Sequence, residues 1–107
     1  MIGYVLKILR IVNNNITLKE VSLKTGLATS HISEIENGIL KPTDKMLDLF
    51  GFAYNISPEM IKLFAGRAKE YNLSYKEMLK IIVDYYVTRS EEYLLREKNC
   101  LVKIKKR

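Results

Sequence analysis

Apolar residues recur three and four positions apart through most of this chain, the period of helices packed on one side. The spacing predicts a first helix over residues 3–13, with Ile2, Val5, Leu6, Leu9 and Val12 as one apolar stripe. Tyr4, Ile8 and Ile11 make a second stripe on its far side. A surface helix normally carries one stripe, so the second is expected to be covered by the C-terminal segment or by another subunit. Thr43-Asp44 opens a later helix bearing Met46, Leu47, Leu49, Phe50 and Ala53, which ends at Asn55. Ser57-Pro58-Glu59 opens another, with Met60, Ile61, Leu63, Phe64 and Ala68, closing near Asn72. The strand period is confined to a weak alternation over residues 101–104.

Ser74 and Glu77 have the spacing of a capping box and predict a sixth helix. Met78, Ile81, Ile82, Tyr85 and Tyr86 form its main stripe, and Leu79 and Val83 widen it past half the circumference. Arg89 falls on the same stripe. The helix is therefore expected to bend or stop near residues 88–90, with Ser90-Glu91-Glu92 capping a seventh helix that carries Tyr93, Leu94 and Leu95. Five of the seven tyrosines lie between Tyr71 and Tyr93. Core packing and an interface both accommodate them, since tyrosine is enriched in each.

The stretch over residues 17–38 is the most structured by local chemistry. Thr17 and Glu20 form a capping box, and Gly26 ends a short helix where a left-handed residue is needed. A second helix starts at about Thr29 and stops at Asn37-Gly38. At about 100° per residue, Ala28, Ile32 and Ile35 face inward, while Ser30, Ser33, Glu34 and Asn37 face outward. Thr29 and His31 lie on the flanks. Short hydroxyls and amides on a free helix face suit close approach to base edges in a major groove.

These residues carry a resemblance. Thr17, Glu20-Val21-Ser22, Gly26, Ile32, Ile35-Glu36-Asn37-Gly38 and Pro42-Thr43 resemble the Cro- and lambda-repressor-type helix-turn-helix family. Leu47, Leu49-Phe50, Ala53 and Asn55-Ile56-Ser57 are similar to its fourth and fifth helices, so the likeness spans residues 2–66. It implies an all-α protein: a five-helix DNA-binding domain over residues 1–72, whose third helix enters the major groove. A dimerising segment of one or two helices with a basic tail then occupies residues 73–107. Thr29, Ser30, Ser33 and Glu34 would read bases. The second helix's N-terminus at Thr17-Leu18, with His31, Asn37 and Lys41, would hold phosphates. Two departures stand out. Ala28, a poor cap, precedes the third helix where many relatives have Ser or Thr. Arg10 lies one residue farther from Thr17 than the family arginine that pairs with the glutamate at the Glu36 position, a shift that loop residues 13–15 can absorb. Glu34 either accepts from cytosine N4 or pairs internally with His31 one turn back.

Composition narrows the rest. At 107 residues and 48% apolar, the chain can bury a core and is too apolar for disorder. No run approaches the roughly 20 apolar residues of a membrane span, and Lys7 and Arg10 interrupt the apolar N-terminus, unlike a secretion signal. A lone Cys100 excludes an internal disulfide and fits a reducing cytoplasm. With a lone His31 it cannot build a structural zinc site. No phosphate loop or HExxH motif occurs, and Glu34/Glu36 and Glu91/Glu92 read as surface or capping carboxylates, so neither enzymatic activity nor a cofactor is expected. The net charge of +6 is uneven: residues 1–56 carry six basic and five acidic residues, residues 57–107 twelve and seven, and four of the positives are Lys103, Lys105, Lys106 and Arg107. Charge therefore says little about DNA, and the motif carries that inference. The expected function is sequence-specific binding of double-stranded DNA, as a repressor acting as a homodimer on a palindrome. Met78, Ile82, Tyr85 and Tyr86 would centre the dimer interface. An antitoxin-like module that binds a protein partner through the C-terminal helices is the alternative.

Overall fold

Short polar side chains set most of the helix boundaries. In the computed structural model, which describes residues 2–99 and side chains as far as Arg89, the helices are α1 (Ile2–Val12), α2 (Leu18–Thr25), α3 (Thr29–Glu36), α4 (Asp44–Tyr54), α5 (Pro58–Glu70) and α6 (Tyr75–Asn99). No strand occurs among the described residues. Thr17 caps α2 by accepting from the Glu20 amide at 3.1 Å, and the Glu20 carboxylate accepts from the Thr17 amide at 2.8 Å. Ser74 and Glu77 repeat this box at the start of α6, and Thr43 and Ser57 cap α4 and α5. The cap of α3 is Ala28, whose side chain makes no capping bond. Gly26 and Gly38 stop α2 and α3 with φ of 80° and 78°, the left-handed region that glycine enters without strain.

Helix α1 runs through the middle of the core. Val5, Leu6 and Leu9 are fully buried with Val21, Ile32, Ile35, Phe50 and Ile61. The second stripe is covered by the same chain, as one of its two expected alternatives held: Ile8 is fully buried, and α5 and α6 both pack on α1. Tyr4 Oη donates to the Leu73 carbonyl at 2.7 Å, and its ring meets Tyr75 edge to face. Gly3 allows α1 to touch the end of α3, since a Cβ there would overlap the carbonyl oxygens of Ile35 and Glu36.

Three expectations about the C-terminal segment are corrected. First, α6 is continuous from Tyr75 to Asn99, without a break near residues 88–90, so the positions expected to form a seventh helix belong to α6. Arg89 does not force a break because its inward face has partners. Its Nη2 donates to the Asn55 carbonyl at 2.9 Å and its Nη1 to Tyr85 Oη at 2.8 Å, and the guanidinium lies 5.0 and 5.2 Å from the Tyr85 and Tyr86 ring centroids. Second, Met78 and Ile82 cannot centre an interface between chains, because both are fully buried within one chain. Tyr85 and Tyr86 are half-buried on the same core, Tyr85 edge-on to Phe64 and Tyr86 donating to the Tyr54 carbonyl at 2.8 Å. Third, a division between residues 72 and 73 cuts one hydrophobic cluster in two. Residues 100–107, with Cys100, the weak alternation and the basic tail, lie outside the described residues.

The buried tyrosines give the fold an alkaline limit. Burial pushes the phenols of Tyr54 and Tyr86 above their ordinary value, which in the unfolded chain is about 10. The folded state thus holds protons that the unfolded chain releases, so this contribution is complete below about pH 10 and shrinks as pH rises further. Melting temperature is expected to fall steadily above about pH 10, with these two phenols the last to ionise in an ultraviolet titration. Ionisation of all seven tyrosines together, below the unfolding pH, would contradict it.

Candidate nucleic-acid interface

Two anchors hold α3 against the body and leave its other side free. Ile32 and Ile35 are fully buried, and Glu36 is only 8% exposed. Arg10 reaches Glu36 with two charge-assisted hydrogen bonds, Nε to Oε2 at 2.8 Å and Nη2 to Oε1 at 3.0 Å. Its Nη1 donates to the Ile16 carbonyl at 3.0 Å. The pair expected between Arg10 and Glu36 therefore forms, and the hydrogen bond to Glu36 pushes the Arg10 pKa above its ordinary value. The inner face is not wholly apolar as expected: Ala28 is exposed, and Glu36 takes the third inward position.

The turn between α2 and α3 is built on Thr25. This buried hydroxyl donates to the Val21 carbonyl at 2.8 Å and accepts from the Leu27 amide at 3.2 Å, while the Gly26 amide donates to the Ser22 carbonyl at 2.8 Å. Such a web satisfies backbone groups that a sharp turn would otherwise leave bare. Sequence reasoning passed over Thr25, although a hydroxyl directly before a helix-ending glycine is a legible signal. Gly3 was also missed, and its signal was a glycine among apolar residues at the start of a helix. The Arg10 bond to Ile16 carried no sequence signal.

On the outer side Thr29, Ser30, Glu34 and Asn37 are exposed, and Ser33 and His31 are half-buried. Asn37 Nδ2 donates to Ser33 Oγ across a long 3.4 Å. The alternative pairing of Glu34 with His31 does not form: the ion pairs among the described residues are Arg10–Glu36 and Lys62–Asp44. The Glu34 carboxylate is left facing solvent. Its backbone carbonyl accepts from the Ile39 and Leu40 amides, which closes the helix end ahead of exposed Lys41.

At the start of α2, Thr17 is exposed and its hydroxyl is spent on the cap. The Leu18 side chain is half-buried, so this position can offer a ligand only its backbone. The Leu18 and Lys19 amides have no partner among the described residues. At a helix N-terminus such groups favour anions. Two bare-amide helix starts, at α2 and α3, and a strip of short polar side chains thus belong to one packed pair of helices. Among the described residues there is no cluster of three metal-ligating side chains and no helix long and apolar enough to cross a membrane.

A helix-turn-helix family model matches residues 6–61, just over half the chain, from within α1 to within α5. No curated protein and no solved structure matches the chain. Helix α6 lies beyond the matched residues.

Proposed function

Because the chain belongs to the Cro/C1-type helix-turn-helix family and is on that ground a DNA-binding regulator, we propose that it recognises a specific operator in duplex DNA with the outer face of α3 in the major groove. The observation that carries this reading is the two-sidedness of α3. One side is locked by Ile32, Ile35 and the Arg10–Glu36 pair, and the other presents Thr29, Ser30, Ser33 and Glu34. The hydroxyls donate to or accept from base edges. The unpaired Glu34 carboxylate accepts from a cytosine amino group, the one base contact that offsets its repulsion by phosphates. The backbone amides behind Thr17, together with His31, Asn37 and Lys41, hold phosphates and set the register.

One recognition helix covers only a few base pairs, so two copies on a palindrome, repressing by occupancy, complete the reading. The interface then uses apolar side chains that one chain leaves exposed. Leu63 and Tyr71 on α5 and Ile81 on α6 line such a groove.

Selection of bound fragments from sheared genomic DNA, followed by sequencing, tests the whole reading. The expected fragments share a palindrome with half-sites about 34 Å apart, and no enrichment would overturn it. Ser33→Ala is expected to weaken operator binding while changing stability by less than about 0.5 kcal/mol. Glu34→Gln is expected to relax the preference for cytosine at one position by about 1–3 kcal/mol. Should Glu34→Gln instead tighten binding to every sequence alike, the carboxylate merely repels phosphates and reads nothing.

A further inference from the structure

We propose that Tyr86, on the helix outside the family match, is a positioning residue for DNA binding: it holds the α1–α2 loop that aims the N-terminus of α2 at phosphate. The inference rests on the reading above and adds a residue of α6 to it.

The loop needs holding. Asn14 and Asn15 are both left-handed, with φ of 65° and 50°, a conformation that side chains other than glycine adopt only when their surroundings maintain it. Two tethers do so. At the far end, Arg10 holds the Ile16 carbonyl, one residue before the Thr17 cap. At the near end, Asn13 Nδ2 donates to the Leu9 carbonyl at 2.7 Å and to Tyr86 Oη at 3.3 Å. The same hydroxyl donates its proton to the Tyr54 carbonyl, in the last turn of α4. Tyr86 therefore ties the loop to α4, and Arg89, stacked over its ring and bonded to the Asn55 carbonyl, keeps that ring in place. From Asn13 the chain reaches Leu18 in five residues, so a shift at the tether moves the bare amides of α2 relative to α3. Binding two partners through preset groups is sensitive to such displacement.

A merely structural Tyr86 would lower the melting temperature and leave the affinity of the folded protein unchanged. The full chain, Tyr86→Phe, Asn13→Ala and the double variant are titrated with the best-selected genomic fragment across a salt series, well below each melting temperature. Each single variant is expected to bind about fivefold or more weakly, and the double variant no worse than the weaker single, because both remove one link. The slope of log affinity against log salt is expected to shrink by about 0.9, one phosphate contact, with equal losses on all fragments. If Tyr86→Phe fails to fold, Asn13→Ala severs the same link from the loop side and carries the measurement. Wild-type affinity and slope in the folded variants, or losses that multiply in the double variant, would overturn the positioning role alone. A wild-type protein that selects no fragment would overturn the operator reading itself, and this inference with it.

Discussion

A chain ending at Asn72 is expected to lose most of its cooperative folding, with helical circular dichroism far below the intact protein's at 25 °C. The cut removes Met78 and Ile82, both fully buried, and uncovers Ile8 on the second stripe of α1. It also takes away the Tyr86 bond to the Tyr54 carbonyl and the Arg89 bond to the Asn55 carbonyl at the end of α4. Emptying one large core position costs about 2–5 kcal/mol. A small domain has only about 5–15 kcal/mol in total, so two such losses plus an opened face leave little. Ile82→Ala alone in the full chain is expected to cost about 2–5 kcal/mol. At about 4–8 °C per kcal/mol for a domain of this size, that is a fall of at least some 8 °C in melting temperature. A shortened chain that melts within a few degrees of the intact one would show that α6 is an appendage to a self-sufficient five-helix domain.

Glu36→Ala is expected to destabilise the protein by about 3–5 kcal/mol, the range for removing one partner of a buried ion pair. The side chains of Arg10 and Glu36 are 14% and 5% exposed, so neither charge has ready recourse to water. Without the carboxylate, the Arg10 guanidinium keeps a single carbonyl partner, at Ile16. Operator binding should fall with stability, since the pair fixes α3 to α1 and steadies the entry to α2. Joint replacement, Arg10→Met with Glu36→Leu, should recover much of the loss, because apolar residues of similar volume remove the stranded charge. Urea unfolding of the three variants measures both effects. A cost below about 1 kcal/mol for Glu36→Ala would class the pair with exposed ion pairs and remove its role as the anchor of α3.

Local chemistry decided much of this protein without reference to its fold. The boxes at Thr17–Glu20 and Ser74–Glu77, the caps at Thr43 and Ser57, and the stops at Gly26, Gly38 and Asn55 act over three or four residues. They are legible in sequence because both partners sit within one helical turn. The faces of α3 were largely legible for the same reason, since Ile32 and Ile35 are separated by one turn and both are buried.

What covers a face is a different kind of fact. The sequence marked two stripes on α1 and an over-wide stripe on α6, but a stripe records only that something apolar must lie against it. That α6 covers α1, so that Met78 and Ile82 serve the core rather than a partner chain, follows from contacts over some seventy residues of separation, such as Tyr4 with Leu73. Arg89 makes the same point. A charge on an apolar stripe reads as a break until the tertiary structure supplies the Asn55 carbonyl and two tyrosine rings to receive it. The helices and their ends were determined by neighbours in sequence, whereas the partner of each apolar face, and the pairing of the buried charges, was decided by where the chain returns in space.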